Sequence, residues 1–166
     1  NYFDGLHGLA SIIFITTILN IIFINLFFMN IFVYDFILVI LPISIFLIFN
    51  LRVFKMPRLF LGDNGSNMLG FILAFLTIHL VQENNNYINH YNIIWIFGLL
   101  VFEFLSTTLS RILENKGIFE PGKDHIHYMI LKKSKSKLTT VLLITLINEV
   151  ILIFGILFST FIKDFN

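Results

Sequence analysis

Residues 9–28 read L-A-S-I-I-F-I-T-T-I-L-N-I-I-F-I-N-L-F-F, twenty positions without a charged side chain. A helix needs about 20 apolar residues to cross the hydrocarbon core of a bilayer, so this stretch predicts a transmembrane helix. Four further runs repeat the pattern: Ile31 to Phe49, Met68 to Val81, Ile93 to Leu109 and Thr139 to Ile162, with Asn-, Gly- or Lys-rich breaks between them. Backbone polar groups in lipid must be satisfied within the segment, which makes each run a helix. The expected fold is all-α, a polytopic transmembrane bundle of about five helices forming a single membrane domain over residues 1–166. Composition agrees: 57% of residues are hydrophobic and 13% charged, with a mean hydropathy of +0.89. A soluble domain must cover its surface with polar groups and is excluded by those values.

Five spans place residues 1–8, 50–67 and 110–138 on one face, and the turn at 29–30, the segment 82–92 and the C-terminus on the other. Ten of the eleven Lys and Arg residues fall on the first face; Lys163 alone falls on the second. Short cytoplasmic loops carry an excess of Lys and Arg, so the first face is expected to be cytoplasmic. Hydropathy drew the spans without using the charges, which makes the charge bias an independent check. The chain contains no cysteine, so disulfides and thiolate metal sites are excluded. It opens on Asn1 and a polar motif with no basic leader before the first apolar run, and so reads as the C-terminal part of a longer multi-span protein.

The expected cytoplasmic face gathers three polar clusters. Asp4 lies in D-G-L-H-G-L, where Gly5 and Gly8 thin the helix entrance; His7, three residues on, shares a helical face with Asp4 and can donate to a phosphate oxygen. The bland alternative is a turn in which Asp4 caps the first span. Asp63 lies in F-L-G-D-N-G-S, flanked by Gly62 and Gly65, with Asn64 and Ser66 as neutral hydrogen-bonding groups. A carboxylate between residues without bulk lets a hydrated cation and a phosphate approach the backbone, and oxygen ligands suit Mg²⁺. The same pattern also makes capped turns. In the third cluster, K-D-H-I-H-Y at Lys123 to Tyr128, alternation at spacing two puts His125 and His127 on one side of an extended strand or loop. An H-x-H pair can bind a transition metal, yet no third nitrogen or sulfur ligand is near, so phosphate or pyrophosphate contact is the preferred reading and proton transfer the second. The run L-K-K-S-K-S-K that follows suits anionic lipid rather than nucleic acid. Within the spans, Asp35, His79, Glu103 and Glu149 are costly and so worth attention. Glu103 lies about two turns from the cytoplasmic end and is expected in the same vestibule; Glu149 is expected to make an interhelical hydrogen bond.

Three ordered motifs, N-x-x-D-G-L-x-G-L at Asn1 to Leu9, F-N-L at Phe49 to Leu51 with F-L-G-D-N-G-S-x-x-L-G-F at Phe60 to Phe71, and F-E-P-x-K-x-H-I-H at Phe119 to His127, make the chain similar to the polyprenyl-phosphate N-acetylhexosamine-1-phosphate transferases. The branch it resembles is that of the undecaprenyl-phosphate N-acetylglucosamine-1-phosphate transferases. The resemblance implies a sugar-1-phosphate moved from a UDP-sugar to a polyprenyl phosphate on the cytoplasmic face of the inner (plasma) membrane, with Mg²⁺ (Mn²⁺ in its place) and release of UMP. By this resemblance Asp63 matches the Mg²⁺-binding carboxylate, Asp4 the first acidic position of its motif, and His125 and His127 the first two histidines of the nucleotide-contacting loop. Asn50 and Lys123 match further positions near the site. His7 stands where the family has a second Asp, Gly122 where it has Asp, Tyr128 where it has a third His, and Glu103 where it has Asp. The family's paired aspartates belong to an earlier loop that this chain does not contain, so the resemblance implies that the chain by itself is inactive. A transporter or channel and a noncatalytic homologue are the rival readings, the first motivated by Glu103 and Glu149, the second by His7, Gly122 and Tyr128. No internal repeat supports the transporter. The resemblance names neither the sugar nor the downstream polymer; oligomeric state stays open, a homodimer included.

Overall fold

The computed structural model describes residues 2–27, 33–53, 56–83, 90–118 and 122–163. Asn1, Lys55 and residues 119–121, all part of the readings above, lie outside the described residues. The described chain is all-helical: α1 (Leu9–Phe27), α2 (Val33–Asn50), α3 (Gly62–Glu83), α4 (His90–Ile96), α5 (Gly98–Leu113), α6 (Ile126–Ser134) and α7 (Lys137–Lys163). The described part of each of the five apolar runs falls on a helix. The fourth is divided by a one-residue break at Phe97, across which the helical hydrogen bonds Phe97 N–H to Ile93 O and Val101 N–H to Phe97 O are kept. Next to the break, Gly98 lets α5 close on α7, since a Cβ there would lie 2.5 Å from Ile151 Cγ2.

α1 is the centre of the bundle, packing against α2, α3, α4 and α7, while α7 also packs against α4, α5 and α6. One buried apolar cluster joins Phe14, Ile18, Ile21 and Ile24 of α1 to Phe36, Leu69, Leu73, Leu76, Ile96 and Leu152. A second, under the polar end, joins Phe3, Leu6, Leu9 and Ile13 to Leu99, Val141 and Ile144. Outward-facing positions are apolar too, with Leu38 at 72% and Phe71 at 71% exposure. Asn20 of α1 donates to Glu149 Oε1 of α7 at 3.1 Å, the interhelical hydrogen bond expected of Glu149.

Among the described residues, α7 alone is long and apolar enough to cross a membrane by length and composition, over Lys137–Ser159; α1 and α2 hold shorter apolar stretches, Leu9–Ile24 and Phe36–Asn50. The hydrogen bonds and contacts described below bring the starts of α1, α3 and α7 and the ends of α2 and α5 to one end of the bundle. The helices therefore run alternately up and down.

One expectation is corrected. His125 and His127 do not share an extended strand: His125 is extended (φ −72°, ψ 150°) and is the N-cap residue of α6, and His127 lies in the first turn of that helix. The reason is an acceptor from elsewhere in the chain, because Glu103 Oε1 takes the otherwise unpaired Ile126 N–H at 2.9 Å.

Candidate active site

The first cluster is a turn pinned from below. Phe3 and Leu6 are buried and hold residues 2–8 against the bundle, leaving Asp4 and His7 half-buried at its surface. Gly8 closes the turn at φ +81°, a left-handed conformation that costs a glycine little, and the side chain of Leu51 packs where a Cβ would stand. α1 therefore enters beneath the last turn of α2.

The second cluster faces the first. Gly62, at φ +66°, turns the chain into α3, and Asp63 lies exposed in its first turn. Asn50, at the end of α2 and 4% exposed, donates Nδ2–H to Leu59 O at 2.7 Å and so ties the approach to Phe60 and Gly62. Its Oδ1 is buried and has no hydrogen-bond partner among the described residues. Asp4, His7, Asn50, Phe60 and Gly62 border a common cavity of about 300 Å³. Burial raises the Asp4 carboxyl above its ordinary range, and the charge of Asp63 adds in the same direction.

His7 sits on the basic side of this cavity. Arg58 Nη1 lies 3.1 Å from His7 Nε2; guanidinium only donates, so Nε2 accepts and the proton of the neutral ring is on Nδ1. Burial lowers the His7 pKa, and Arg58 and Lys137 lower it further. The Phe60 ring lies 5.8 Å from the His7 ring, a second bridge between the two clusters.

The histidine loop closes over the first cluster through Gly5. A Cβ at Gly5 would stand 2.2 Å from His127 Nε2 and 2.8 Å from the Tyr128 hydroxyl, so no other residue lets the loop come so near. His127 is 1% exposed, neither ring nitrogen has a partner among the described residues, and burial pushes its pKa down to about 4. The rings of His125 and His127 stand nearly parallel, 5.7 Å apart, and Tyr2 meets His125 edge-on at 4.8 Å.

What shapes this loop is α5. Glu103, Thr107 and Arg111, four residues apart, are all buried on one face. Arg111 forks onto Asp124, Nε to Oδ2 at 2.7 Å and Nη2 to Oδ1 at 2.9 Å, and donates Nη1–H to Ile118 O at 2.7 Å. The guanidinium hydrogen bonds hold the Asp124 carboxyl down at about 2. Sequence reading missed this pair, because the positive-inside bias explains Arg111 by itself; its signal is the eight-residue spacing with Glu103, two steps of four through Thr107. Glu103 reaches the histidine loop, through His125 Nδ1 and the Ile126 N–H. Of the remaining candidates, Asn64 and Lys123 are both exposed, near Asp63 and Asp124 in sequence.

Asp4 and Asn50 border one cavity and the charge of Asp63, next to Gly62 at its edge, reaches Asp4, while among the described residues no three His, Cys, Asp or Glu side chains are grouped as a metal cage. That donor set fits Mg²⁺, which is held by one or two carboxylates with water and phosphate oxygens completing its shell, and it does not fit a structural Zn²⁺. Asp63 and Asp4 are the residues that would hold it.

Comparison with known proteins bears on residues 1–81, which match the family described as Glycosyl transferase family 4. The undecaprenyl-phosphate alpha-N-acetylglucosaminyl 1-phosphate transferase of Salmonella typhi is 25% identical over 151 residues, 88% of this chain and 40% of the relative. The proteins of the same name from Haemophilus influenzae and Yersinia pestis are 26% identical over 120 residues and 25% over 100, covering 71% and 60% of this chain. The chain thus spans between 27% and 40% of the length of these relatives. No solved structure matches it. The segment that carries both Asp4 and Asp63 is the one that matches the Glycosyl transferase family 4 model, in line with the family resemblance read from the three motifs.

Proposed function

We propose that the chain acts within a membrane transferase that moves a sugar-1-phosphate, an N-acetylhexosamine-1-phosphate, from a UDP-sugar to undecaprenyl or another polyprenyl phosphate at the start of cell-envelope polysaccharide synthesis. The observation that carries this reading is the meeting of Asp4, Asp63 and the histidine loop at one end of an up-and-down bundle. The named relatives support it. An oxygen of the lipid phosphate attacks the phosphorus bonded to the sugar, the bond from that phosphorus to the UMP oxygen breaks, and UMP leaves with the electron pair. Both reactants are anionic, so catalysis is mostly positioning and charge neutralisation.

Asp63 and Asp4 face the reacting phosphates from the acidic side of the cavity; when bound, Mg²⁺, or Mn²⁺ in its place, neutralises part of the diphosphate charge there. Arg58 and Lys137, whose charges reach His7, supply the basic side. Neutral His7 donates from Nδ1, and Asn50 Oδ1 is an acceptor for a substrate N–H or O–H. His125, His127 and Lys123 bound the nucleotide side, and exposed Asn64 extends the polar rim beyond Asp63. A second cavity of about 390 Å³, bordered by Gly70, Leu73, Ala74, Thr77, Ile93 and Phe97, is almost wholly apolar and suits the polyprenyl chain. In this reading the bundle crosses the inner membrane five times with the site on the cytoplasmic side.

The test is the intact open reading frame expressed in membranes and supplied with UDP-N-acetylglucosamine, undecaprenyl phosphate and Mg²⁺. A lipid-linked sugar should form, and Asp63→Asn should lower its rate by at least about a hundredfold. No product from any of several UDP-sugars, with helicity intact, sinks the proposal.

A further inference from the structure

Glu103 contributes one oxygen to two donors. Its Oε1 lies 2.9 Å from the Ile126 amide nitrogen and 3.2 Å from His125 Nδ1. A backbone N–H can only donate, so Oε1 is the accepting oxygen of the carboxyl group whether that group is ionised or carries a proton on Oε2. The hydrogen shared with His125 must then come from the imidazole. The side chains are 4% and 12% exposed, so water does not compete for this contact.

We propose that Glu103 is a positioning residue, holding His125 as the Nδ1–H tautomer so that Nε2 is the nitrogen free to take a proton or hydrogen bond from substrate. The other groups facing His125 do not set its tautomer. Tyr2 offers a ring edge, His127 stands parallel to it, and Asp124 is engaged by Arg111. A neutral imidazole in water favours Nε2–H, so the contact inverts the ordinary preference. The same oxygen fixes the ring's place, because it also caps the helix that His125 precedes. What Nε2 then does in turnover rests on the transferase reading; the tautomer does not.

The experiment is nitrogen-15 NMR of the histidine-labelled full chain in lipid nanodiscs near neutral pH, with the His125 signal assigned from His125→Gln. The wild type should show the proton on Nδ1, and Glu103→Gln, which keeps a neutral oxygen of the same shape, should show it there too. Glu103→Ala should shift the majority to Nε2–H. An Nε2–H wild type overturns the proposal, as does an Nδ1–H majority in Glu103→Ala with α6 intact. Should Glu103→Ala fail to fold, the wild-type and Glu103→Gln spectra decide. Lipid-linked product from a protein whose His125 is Nε2–H would overturn this assignment and leave the transferase reading standing. The expected tautomers without product under any UDP-sugar would do the reverse.

Discussion

His127 occupies an apolar niche although it could be charged near neutrality. It is packed by Gly5, Phe3 and Tyr128, and the ring stays neutral in the fold because protonation would leave a charge buried there. Its folded pKa is about 4, against an ordinary 6.5. Above pH 6.5 the ring is neutral in both states and its contribution to stability is fully present. As pH falls from 6.5 towards 4, the unfolded chain takes up a proton that the folded chain refuses, so stability declines across that window. His7, lowered by burial and by Arg58, acts in the same direction. The informative quantity is therefore the difference between wild type and His127→Phe, which fills the niche without titrating. Thermal unfolding in detergent from pH 7 to pH 4 should show a steeper loss for the wild type; parallel curves would mean that His127 takes up its proton as readily in the fold as in the unfolded chain.

α5 works as a clamp whose two jaws are one turn either side of Thr107. Arg111 grips Asp124 and Ile118, Glu103 grips His125 and Ile126, and between them they set the path of residues 122–126 and the start of α6. The Arg111 side chain is 6% exposed, so Arg111→Gln strips a buried charged fork and should destabilise the loop by roughly 1–3 kcal/mol. Hydrogen exchange of the α6 amides should quicken in Arg111→Gln and recover part of its protection in Arg111→Gln/Asp124→Asn, where no lone carboxylate is left. Unchanged exchange in the single variant would show that the fork does not hold the loop. The five long helices were legible because apolar runs of 14 to 24 residues with polar breaks leave the backbone little choice. α6 was not, since its cap is a carboxylate 23 positions away and its first residues, I-H-Y, also fit an alternating strand. The glycines around Asp4 and Asp63 marked the turns and the close approach found at Gly5, Gly8 and Gly62, for such backbone demands are a property that sequence displays. The grip of Arg111 on Asp124 was hidden, because one residue satisfied a charge rule and a structural role at once.

At the scale of the molecule, the up-and-down order of the helices and the gathering of basic residues make one geometric statement. The contacts of His7 with Arg58, Gly8 with Leu51, Gly5 with His127 and Arg111 with Asp124 assemble one end of the bundle from chain segments up to 122 positions apart. At 1.5 Å per residue, the 27 residues of α7 reach about 40 Å, enough to cross a ~30 Å hydrocarbon core, and the proposed five-span reading has the 22 residues of α3, about 33 Å long, cross as well. α4 and α5 bring it back between them, so Gln82 near the far end of α3 and Lys133 in α6 should lie on opposite sides of the bilayer. Both residues are exposed, and the chain's lack of cysteine offers a clean background for single-cysteine variants. In intact bacterial cells with a permeabilised outer membrane, a maleimide that cannot cross the inner membrane should label Gln82→Cys. Lys133→Cys should react only after lysis, since the proposed reading puts the basic end at the cytoplasmic face. Labelling of both from outside would place Asp63 and its cavity away from a cytoplasmic sugar nucleotide, and the five-span arrangement would fall with it.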